Sequence, residues 1–323
     1  MSASRRVARR LASAAATLAL VAFIVFILIA AFPGDTADDE GVRALPANYR
    51  AALRAQLHLD DPVAVRYVRW LLDVARGDLG TSFRERRPVS LILRERAPIS
   101  AALNGAAIVV IVLVAAPLGI TSAWKPGSPW DRGVRAVTTA LYALPVFWTA
   151  LMLQRVFAVH LAWLPLFGTG ISGGRPGSLT SALDLSRHLV LPVTCVAAGA
   201  VAYVSRFVRT ALLDATAGDG GRAIRARGAT ALGYVARHGT RQAAVPLLTL
   251  AGFLIPRVVG GSLLVEEIFN IPGLGTLLFD SVMARDVPVV LALTLLTGTA
   301  TLAAITATDV LAAWADPRIR RAA

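Results

Sequence analysis

The sequence predicts an all-α integral membrane protein with six transmembrane helices, and three observations lead to this fold class. Of the 323 residues, 56% are hydrophobic and only 16% are charged, whereas about a quarter of a soluble protein is charged. The apolar residues come in long blocks instead of alternating with polar ones. The net charge of +13 comes almost wholly from arginine, as expected for loops beside an anionic membrane surface. We therefore expect a lipid bilayer around the chain and no nucleic-acid partner.

Six blocks are long and apolar enough to cross a membrane, which takes about 20 residues. The third block contains Arg155 and the fifth contains Arg257, and the fourth continues through an amphipathic stretch to Leu213. The predicted spans are 11–31, 100–123, 136–159, 189–205, 243–265 and 287–308. A cleaved signal peptide is the alternative for the first span, but its apolar run is about twice the length of a signal-peptide core.

The arginine distribution predicts that the N- and C-termini are cytoplasmic, because short cytoplasmic loops carry an excess of basic residues. With six spans, the N-terminus, the loops 124–135 and 206–242 and the C-terminal tail all lie on one side, and all carry arginines. The segment 32–99 is predicted outside although it holds eleven arginines, since long loops cross membranes largely regardless of charge. The predicted organisation is a cytoplasmic N-terminus with the first helix (1–31), an extracytoplasmic region (32–99) and a five-helix core (100–323).

The sequence contains no motif for catalysis or cofactor binding that we recognise. Its only lysine, Lys125, lies between Trp124 and Pro126, so it cannot belong to a Walker A loop. The four histidines are far apart and form no H-E-x-x-H motif, and Cys195 is the only cysteine. We therefore expect no enzymatic activity, no cofactor and no metal site in this chain.

The segment 212–242 is unusually long and basic for a connection between two predicted spans. Asp219 is placed to cap a short helix that begins near Arg222, and Gly228 is placed to end it. A second amphipathic piece follows toward Arg241. The segment either docks a cytosolic partner or is a solvated basic loop that only fixes topology, and composition alone leaves both interpretations open.

Short motifs occur in a characteristic order along the chain. The most specific is VEEIFNIPGLG at 265–275. The others are GDLGTS at 77–82, LPVFW at 144–148 with AWLP at 162–165, HLVLP at 188–192, RAIRARG at 222–228 and DPRIR at 316–320. Together they resemble the first permease subunit of the dipeptide/oligopeptide/nickel ABC importer family. The segment 212–242 is similar to that family's EAA loop, whose short coupling helix inserts into a groove of an ATPase subunit.

The resemblance implies a type I ABC importer permease fold in the plasma membrane of a bacterium or archaeon. It also implies a second homologous permease, two ATPase subunits that bind ATP and Mg²⁺, and an extracytoplasmic substrate-binding protein. Peptides are the expected substrate, and nickel complexes, opines or oligosaccharides are alternative substrates. An alternative function is that of a membrane scaffold without a transport role.

Two groups of residues receive roles from this resemblance. The residues expected at the ATPase contact are Asp219, Arg222, Ala223, Arg225 and Gly228. The residues expected at an outer gate or a binding-protein contact are Glu266, Glu267, Asn270, Pro272, Gly273 and Gly275. A stiff connector without a binding role is the alternative for the second group.

Arg155 and Arg257 are candidate substrate-pathway residues. A charge at the centre of a membrane helix costs about 2.5–3.5 kcal/mol on insertion scales and normally faces the helix bundle or a water-filled path. Arg257 follows Pro256 near the middle of the fifth predicted span, where it would favour an anionic group such as a peptide carboxylate. A structural partner in the second permease is the alternative, as is snorkelling for Arg155, which is nearer the outer face.

Overall fold

The computed structural model describes residues 3–31, 60–170, 179–217 and 261–315, and in these ranges the regular structure is helical apart from one isolated bridge between Thr81 and Pro88. A π-helix, Gln154–His160, follows α5 directly. The α-helices are α1 (Ala3–Ala31), α2 (Val63–Ala75), α3 (Val89–Trp124), α4 (Pro129–Ala143), α5 (Val146–Leu153), α6 (Leu179–Ala217), α7 (Leu263–Ile268), α8 (Leu274–Met283) and α9 (Val287–Ala315).

Four helices in the described part of the chain are long and apolar enough to cross a membrane. They contain the stretches Ala12–Ala31, Val89–Trp124, Thr180–Asp214 and Val287–Thr308. These stretches coincide with the first, second, fourth and sixth predicted spans. Most of the fifth, 243–265, lies outside the described residues, and the cytoplasmic position of the termini stays a prediction.

The third predicted span, 136–159, is not one straight helix. α4 and the helical segment Val146–His160 meet at an angle of 100°. The break falls at Leu144, whose ψ of 128° is extended, immediately before Pro145. Proline has no N–H to donate and disfavours a helical conformation in the residue before it. If the bent pair is counted as one broken span, the described residues contain five segments that are long and apolar enough to cross a membrane.

Two helices extend well beyond the apolar blocks that predicted them. α3 begins at Val89, before the charge-free block at Ser100, and includes Arg94, Glu95 and Arg96. α6 runs from Leu179 to Ala217, so the first residues of the segment 212–242 continue this helix. The remainder of that segment, 218–242, lies outside the described residues.

The chain forms two compact units, the first of which comprises residues 1–98 and 273–302. In this unit α1 packs on α2 through aromatic rings, and the Tyr67 hydroxyl donates a hydrogen bond to the Ala19 carbonyl at 2.6 Å. A second apolar cluster joins the first turns of α3 to α8 and α9, with Ile92, Leu274 and Val289 at its centre.

A buried carboxylate holds the loop before α3 in this unit. Asp286, between α8 and α9, accepts hydrogen bonds from the Ser82 hydroxyl and from the backbone N–H groups of Phe83 and Arg84, the last two at 3.0 and 3.3 Å. Ser82 belongs to the GDLGTS motif and in turn accepts from the N–H of Glu85 at 2.9 Å. Because a buried charge is costly unless hydrogen-bonded, these donors explain how Asp286 can be only 2% exposed.

The second unit comprises residues 99–272 and 303–323, and small residues bring α3 and α6 close together in it. A Cβ atom built on Gly119 would lie 2.7 Å from the Ser205 carbonyl oxygen and 2.7 Å from the Val208 Cβ atom, so only glycine fits at this crossing. Alanines at 115 and 197 belong to the same buried cluster. Small residues allow close helix approach in membrane proteins, where packing replaces the hydrophobic effect as the driving force.

Candidate functional site

A buried polar cluster in the second unit surrounds Glu266, which belongs to the most specific sequence motif. The side chain of Glu266 is 0% exposed. Its Oε1 atom accepts hydrogen bonds from the Ser100 hydroxyl at 2.8 Å and from the Ser262 N–H at 3.1 Å. Glu266 lies in the first turn of α7 and Ser100 lies on α3, so the carboxylate joins these two helices.

Two further hydrogen bonds close this arrangement into a ring. The Ser262 hydroxyl donates to Oδ1 of Asn104 at 2.7 Å, and Nδ2 of Asn104 donates to the carbonyl of Ser100 at 2.9 Å. Ser100 and Asn104 are four residues apart and therefore share one face of α3. We call Ser100, Asn104, Ser262 and Glu266 the Glu266 ring. A buried network whose members satisfy one another favours one packing arrangement over others.

The π-helix contributes a second buried polar side chain. Gln154 donates from Nε2 to the carbonyls of Leu166 and Ile268, at 3.1 and 3.2 Å. The N–H of Gly168 also donates to the Phe269 carbonyl at 2.8 Å. These bonds join the segment after the π-helix to the turn after α7. π-helical segments are frequent at functional sites, so the contact between the segment after the π-helix and the turn after α7 is a candidate functional region.

The turn after α7 is held by its own backbone and by apolar side chains. The N–H of Ile271 donates to the Glu266 carbonyl at 2.8 Å, and the N–H of Asn270 donates to the Glu267 carbonyl at 3.1 Å. Asn270 adopts a φ of +51°, a left-handed conformation that asparagine tolerates better than most residues. Phe269 and Ile271 are buried in a cluster with Leu103 of α3. The motif is therefore anchored on both sides of the exposed Asn270.

The six residues predicted at an outer gate or binding-protein contact have different environments. Glu266 is buried in its ring, whereas the side chains of Glu267 and Asn270 are exposed and Pro272 is half-buried. In the first unit, Gly273 and Gly275 are buried at the start of α8, where the Gly273 N–H donates to the Thr276 hydroxyl at 3.1 Å. Contact with a binding protein stays a prediction, and Glu267 and Asn270 offer the most accessible side chains for it.

Arg155 is exposed beside the buried Gln154, and among the described residues it has neither an ion-pair nor a hydrogen-bond partner. Arg257 lies outside the described residues. So do the predicted ATPase-contact residues Asp219, Arg222, Ala223, Arg225 and Gly228. Within the described ranges no group of three or more His, Cys, Asp or Glu side chains is placed to hold a metal ion.

Sequence reasoning missed Gln154, Ser100 and Ser262. Gln154 had a detectable signal, because a polar residue in an apolar block must find a partner away from water. Ser100 and Ser262 gave no such signal, since serine is unremarkable in a membrane helix and their partners are distant in sequence.

The adjacent residues Glu266 and Glu267 provide a matched pair for testing the ring. Replacing Glu266 with Gln removes the charge that strengthens two hydrogen bonds, one of them to the backbone N–H of Ser262. We expect hydrogen exchange of amides in 262–271 to rise about tenfold in Glu266→Gln, because hydrogen bonds to charged groups contribute about 1.5–3 kcal/mol. The exposed Glu267→Gln variant should change exchange less than about twofold, since surface polar groups contribute little. Equal exchange in the two variants would contradict a stabilising role for the ring.

Two family profiles match almost the whole chain. Residues 115–321 match the family described as "Binding-protein-dependent transport system inner membrane component", and residues 4–104 match the family that describes the N-terminal part of such a membrane component. A putative peptide transport system permease protein of Brucella abortus is 33% identical over 313 residues, which cover 97% of this chain and 98% of that protein.

Further relatives cover similar lengths. The oligopeptide transport system permease protein AppB of Bacillus subtilis is 32% identical over 93% of this chain and 94% of its own length. The glutathione transport system permease protein GsiC of Salmonella paratyphi A is 34% identical over 97% of this chain and 98% of its own length.

A solved structure is similar in fold. A chain of the MetNI methionine ABC transporter, in an inward-facing conformation, aligns with a TM-score of 0.51 and 17% identity. The alignment covers 70% of this chain and 97% of that chain. This chain therefore belongs to the binding-protein-dependent transport system inner membrane components, and it is a multi-pass ABC importer permease.

Proposed function

We propose that this chain is the permease subunit of a bacterial plasma-membrane importer for di- or oligopeptides. The observation that carries this proposal is the end-to-end similarity to permeases named for peptide, oligopeptide and glutathione transport. Similarity over nearly the full length of both chains extends through the membrane helices and the segments between them. It is therefore more informative than a match to a single motif.

The chain would work in a complex with a second homologous permease, two ATPase subunits and an extracytoplasmic binding protein. ATP and Mg²⁺ would be bound by the ATPase subunits, because Lys125, the only lysine here, has no phosphate-binding loop around it. Bulky apolar side chains are exposed along the second predicted span, including Val109, Val112 and Leu113. Such side chains suit lipid or a neighbouring permease rather than water.

The segment 212–242 would connect the permease to its ATPase. It continues directly from α6, which includes 39 residues and at 1.5 Å per residue is about 58 Å long. A helix running into the segment supports a mechanical role, because the part of α6 that follows Pro192, whose ring nitrogen has no N–H to donate, can pass a displacement of its end along its hydrogen-bonded backbone. Binding of ATP would then move the helices between inward- and outward-open arrangements.

Purification of the tagged chain in mild detergent tests the proposed assembly. We expect native mass spectrometry to find a second permease and two ATPase copies, and a co-purified binding protein to carry a peptide. If that protein instead carries a nickel complex, an opine or an oligosaccharide, the importer function would be supported but the proposed peptide substrate would be wrong. Recovery of the chain alone, from membranes that contain the partner subunits, would favour the scaffold alternative.

Reversing two charges in 212–242 tests coupling to the ATPase. We expect Arg222→Glu combined with Arg225→Glu to lower binding-protein-dependent uptake about tenfold or more, since charge-assisted contacts to acidic groups would become repulsive. A control of equal charge change is Arg320→Glu with Arg321→Glu in the C-terminal tail, which should retain uptake. Normal uptake by the 222/225 variant in proteoliposomes would contradict the coupling role.

Replacing Arg257 with Met tests the proposed substrate pathway. We expect uptake of peptides with a free C-terminal carboxylate to fall about tenfold relative to amidated peptides, because one charged hydrogen-bond donor is lost. Arg257→Lys keeps the charge and should preserve the preference, and Arg155→Met provides the same comparison for the exposed arginine of the π-helix. Equal loss of uptake for both kinds of peptide in Arg257→Met, or loss of assembly in that variant, would argue for a structural role.

A further inference from the structure

The end of α6 that leads into the 212–242 segment carries a buried ion pair with α4. Arg209 donates from Nε to Oδ1 of Asp131 at 2.7 Å and from Nη2 to Oδ2 at 2.8 Å. The Asp131 side chain is 0% exposed and that of Arg209 is 18% exposed. The two parallel bonds form the fork geometry that fixes direction as well as distance. We call these two residues the α4–α6 clamp.

Asp131 is itself held by the turn between α3 and α4. Its N–H donates to the hydroxyl of Ser128, which caps α4, at 3.2 Å. Its Oδ2 atom accepts from the N–H of Gly127 at 2.8 Å, and Gly127 has a φ of +76°, which favours glycine. Arg209 is therefore bonded to a carboxylate that closes the α3–α4 turn.

The same part of α6 is fixed to α3 and to α4 by other contacts. Ser205 and Val208 pack against Gly119 without room for a Cβ atom. The guanidinium group of Arg206 lies 4.6 Å from the ring centroid of Tyr142 on α4. Immediately before the 212–242 segment, α6 is thus in contact with two other helices, and the clamp is the most directional of these contacts.

Stability alone is a weak explanation for the clamp. Removing two charges from water costs several kcal/mol per ion, so a buried ion pair is often no more stabilising than apolar residues of similar size. Its geometric effect is different, because a bidentate pair resists sliding and rotation between the helices. α4 continues through the break at Pro145 into α5 and the π-helix, where Gln154 holds the carbonyls of Leu166 and Ile268.

We propose that Asp131 and Arg209 are positioning residues that make α4 follow the movement of the 212–242 segment, and so couple ATP hydrolysis to transport. This inference rests on the proposed function. With the clamp intact, a displacement of the end of α6 carries the α3–α4 turn and α4 with it. Without the clamp, α6 moves while α4 lags, and ATP is hydrolysed without substrate movement.

The test uses the complete complex of both permeases, the ATPase subunits and the binding protein in proteoliposomes. Peptide uptake and ATP hydrolysis are measured in the same vesicles, and their ratio is the readout. We expect Asp131→Asn and Arg209→Met to keep the ATPase subunits bound while peptide transported per ATP falls about tenfold. Arg209→Lys keeps the positive charge but cannot form both parallel hydrogen bonds. Its ratio of peptide transported to ATP hydrolysed should lie between the ratios of these variants and that of the native chain.

Arg135 supplies the matched control, because it also faces Asp131 from α4 but at 3.9 Å and with 52% of its side chain exposed. Arg135→Gln should leave the ratio unchanged. A merely structural role predicts a different result, in which uptake and hydrolysis fall together as assembled complex is lost. An unchanged ratio in assembled Asp131→Asn and Arg209→Met complexes would overturn the proposal.

A measurement on the native pair keeps the proposal testable if these variants fail to assemble. Spin labels at the exposed positions Val137 on α4 and Thr210 on α6 should keep one distance with and without ATP, while the 212–242 segment moves relative to the ATPase. A change in the 137–210 distance on ATP binding would overturn the clamp. Absence of binding-protein-dependent uptake by the native complex would instead refute the proposed function.

Discussion

Buried polar groups in a membrane protein must find their partners within the protein, and this constraint explains the connections between helices in this chain. A polar group that is removed from water without a hydrogen-bond partner costs roughly 2–7 kcal/mol, and a charged group costs more. Among the described residues, three buried carboxylates meet the constraint in the same way, by accepting hydrogen bonds from backbone N–H groups. Asp131 accepts from Gly127, Glu266 from Ser262, and Asp286 from Phe83 and Arg84. Each also accepts a side-chain donor, so each carboxylate fixes a turn and a neighbouring side chain together.

The apolar contacts of the second unit complement these polar ones. α3 and α6 approach closely at Gly119, and the apolar cluster that contains Leu103 and Phe269 also contains Val265, the residue before Glu266. Close packing sets how far apart the helices lie, whereas the hydrogen bonds set how they are rotated. At both the Glu266 ring and the α4–α6 clamp, apolar packing therefore sets the distance between helices and hydrogen bonds set their rotation.

The sequence predicted the apolar helices well because the length of an apolar block is a local property. Four of the six predicted spans coincide with long apolar helices, and the order of short motifs led to the family that the comparisons confirm. The bend before Pro145 was also readable in principle, since proline is a local signal, but the apolar composition of 136–159 obscured it.

The polar contacts were not predictable in the same way, because their partners are far apart in sequence. Ser100 and Glu266 are separated by 166 residues, and Asp131 and Arg209 by 78. Glu266 and Glu267 show a further limit. A motif assigns both to one functional group, but successive helical residues point about 100° apart, so one is buried and the other is exposed.

The π-helix after α5 makes the spacing of residues, as well as their chemistry, important for this protein. Its wider i→i+5 winding accommodates about one residue more than an α-helix of the same span. Gln154 stands at its first position, and the 161–170 segment that Gln154 holds begins just after its last. Deleting one residue between Gln154 and the 161–170 segment would remove none of the polar side chains of this contact. It would, however, rotate the 161–170 segment so that its carbonyls no longer face Gln154. Evolution of this region is therefore expected to tolerate substitutions at its exposed positions more readily than changes in length.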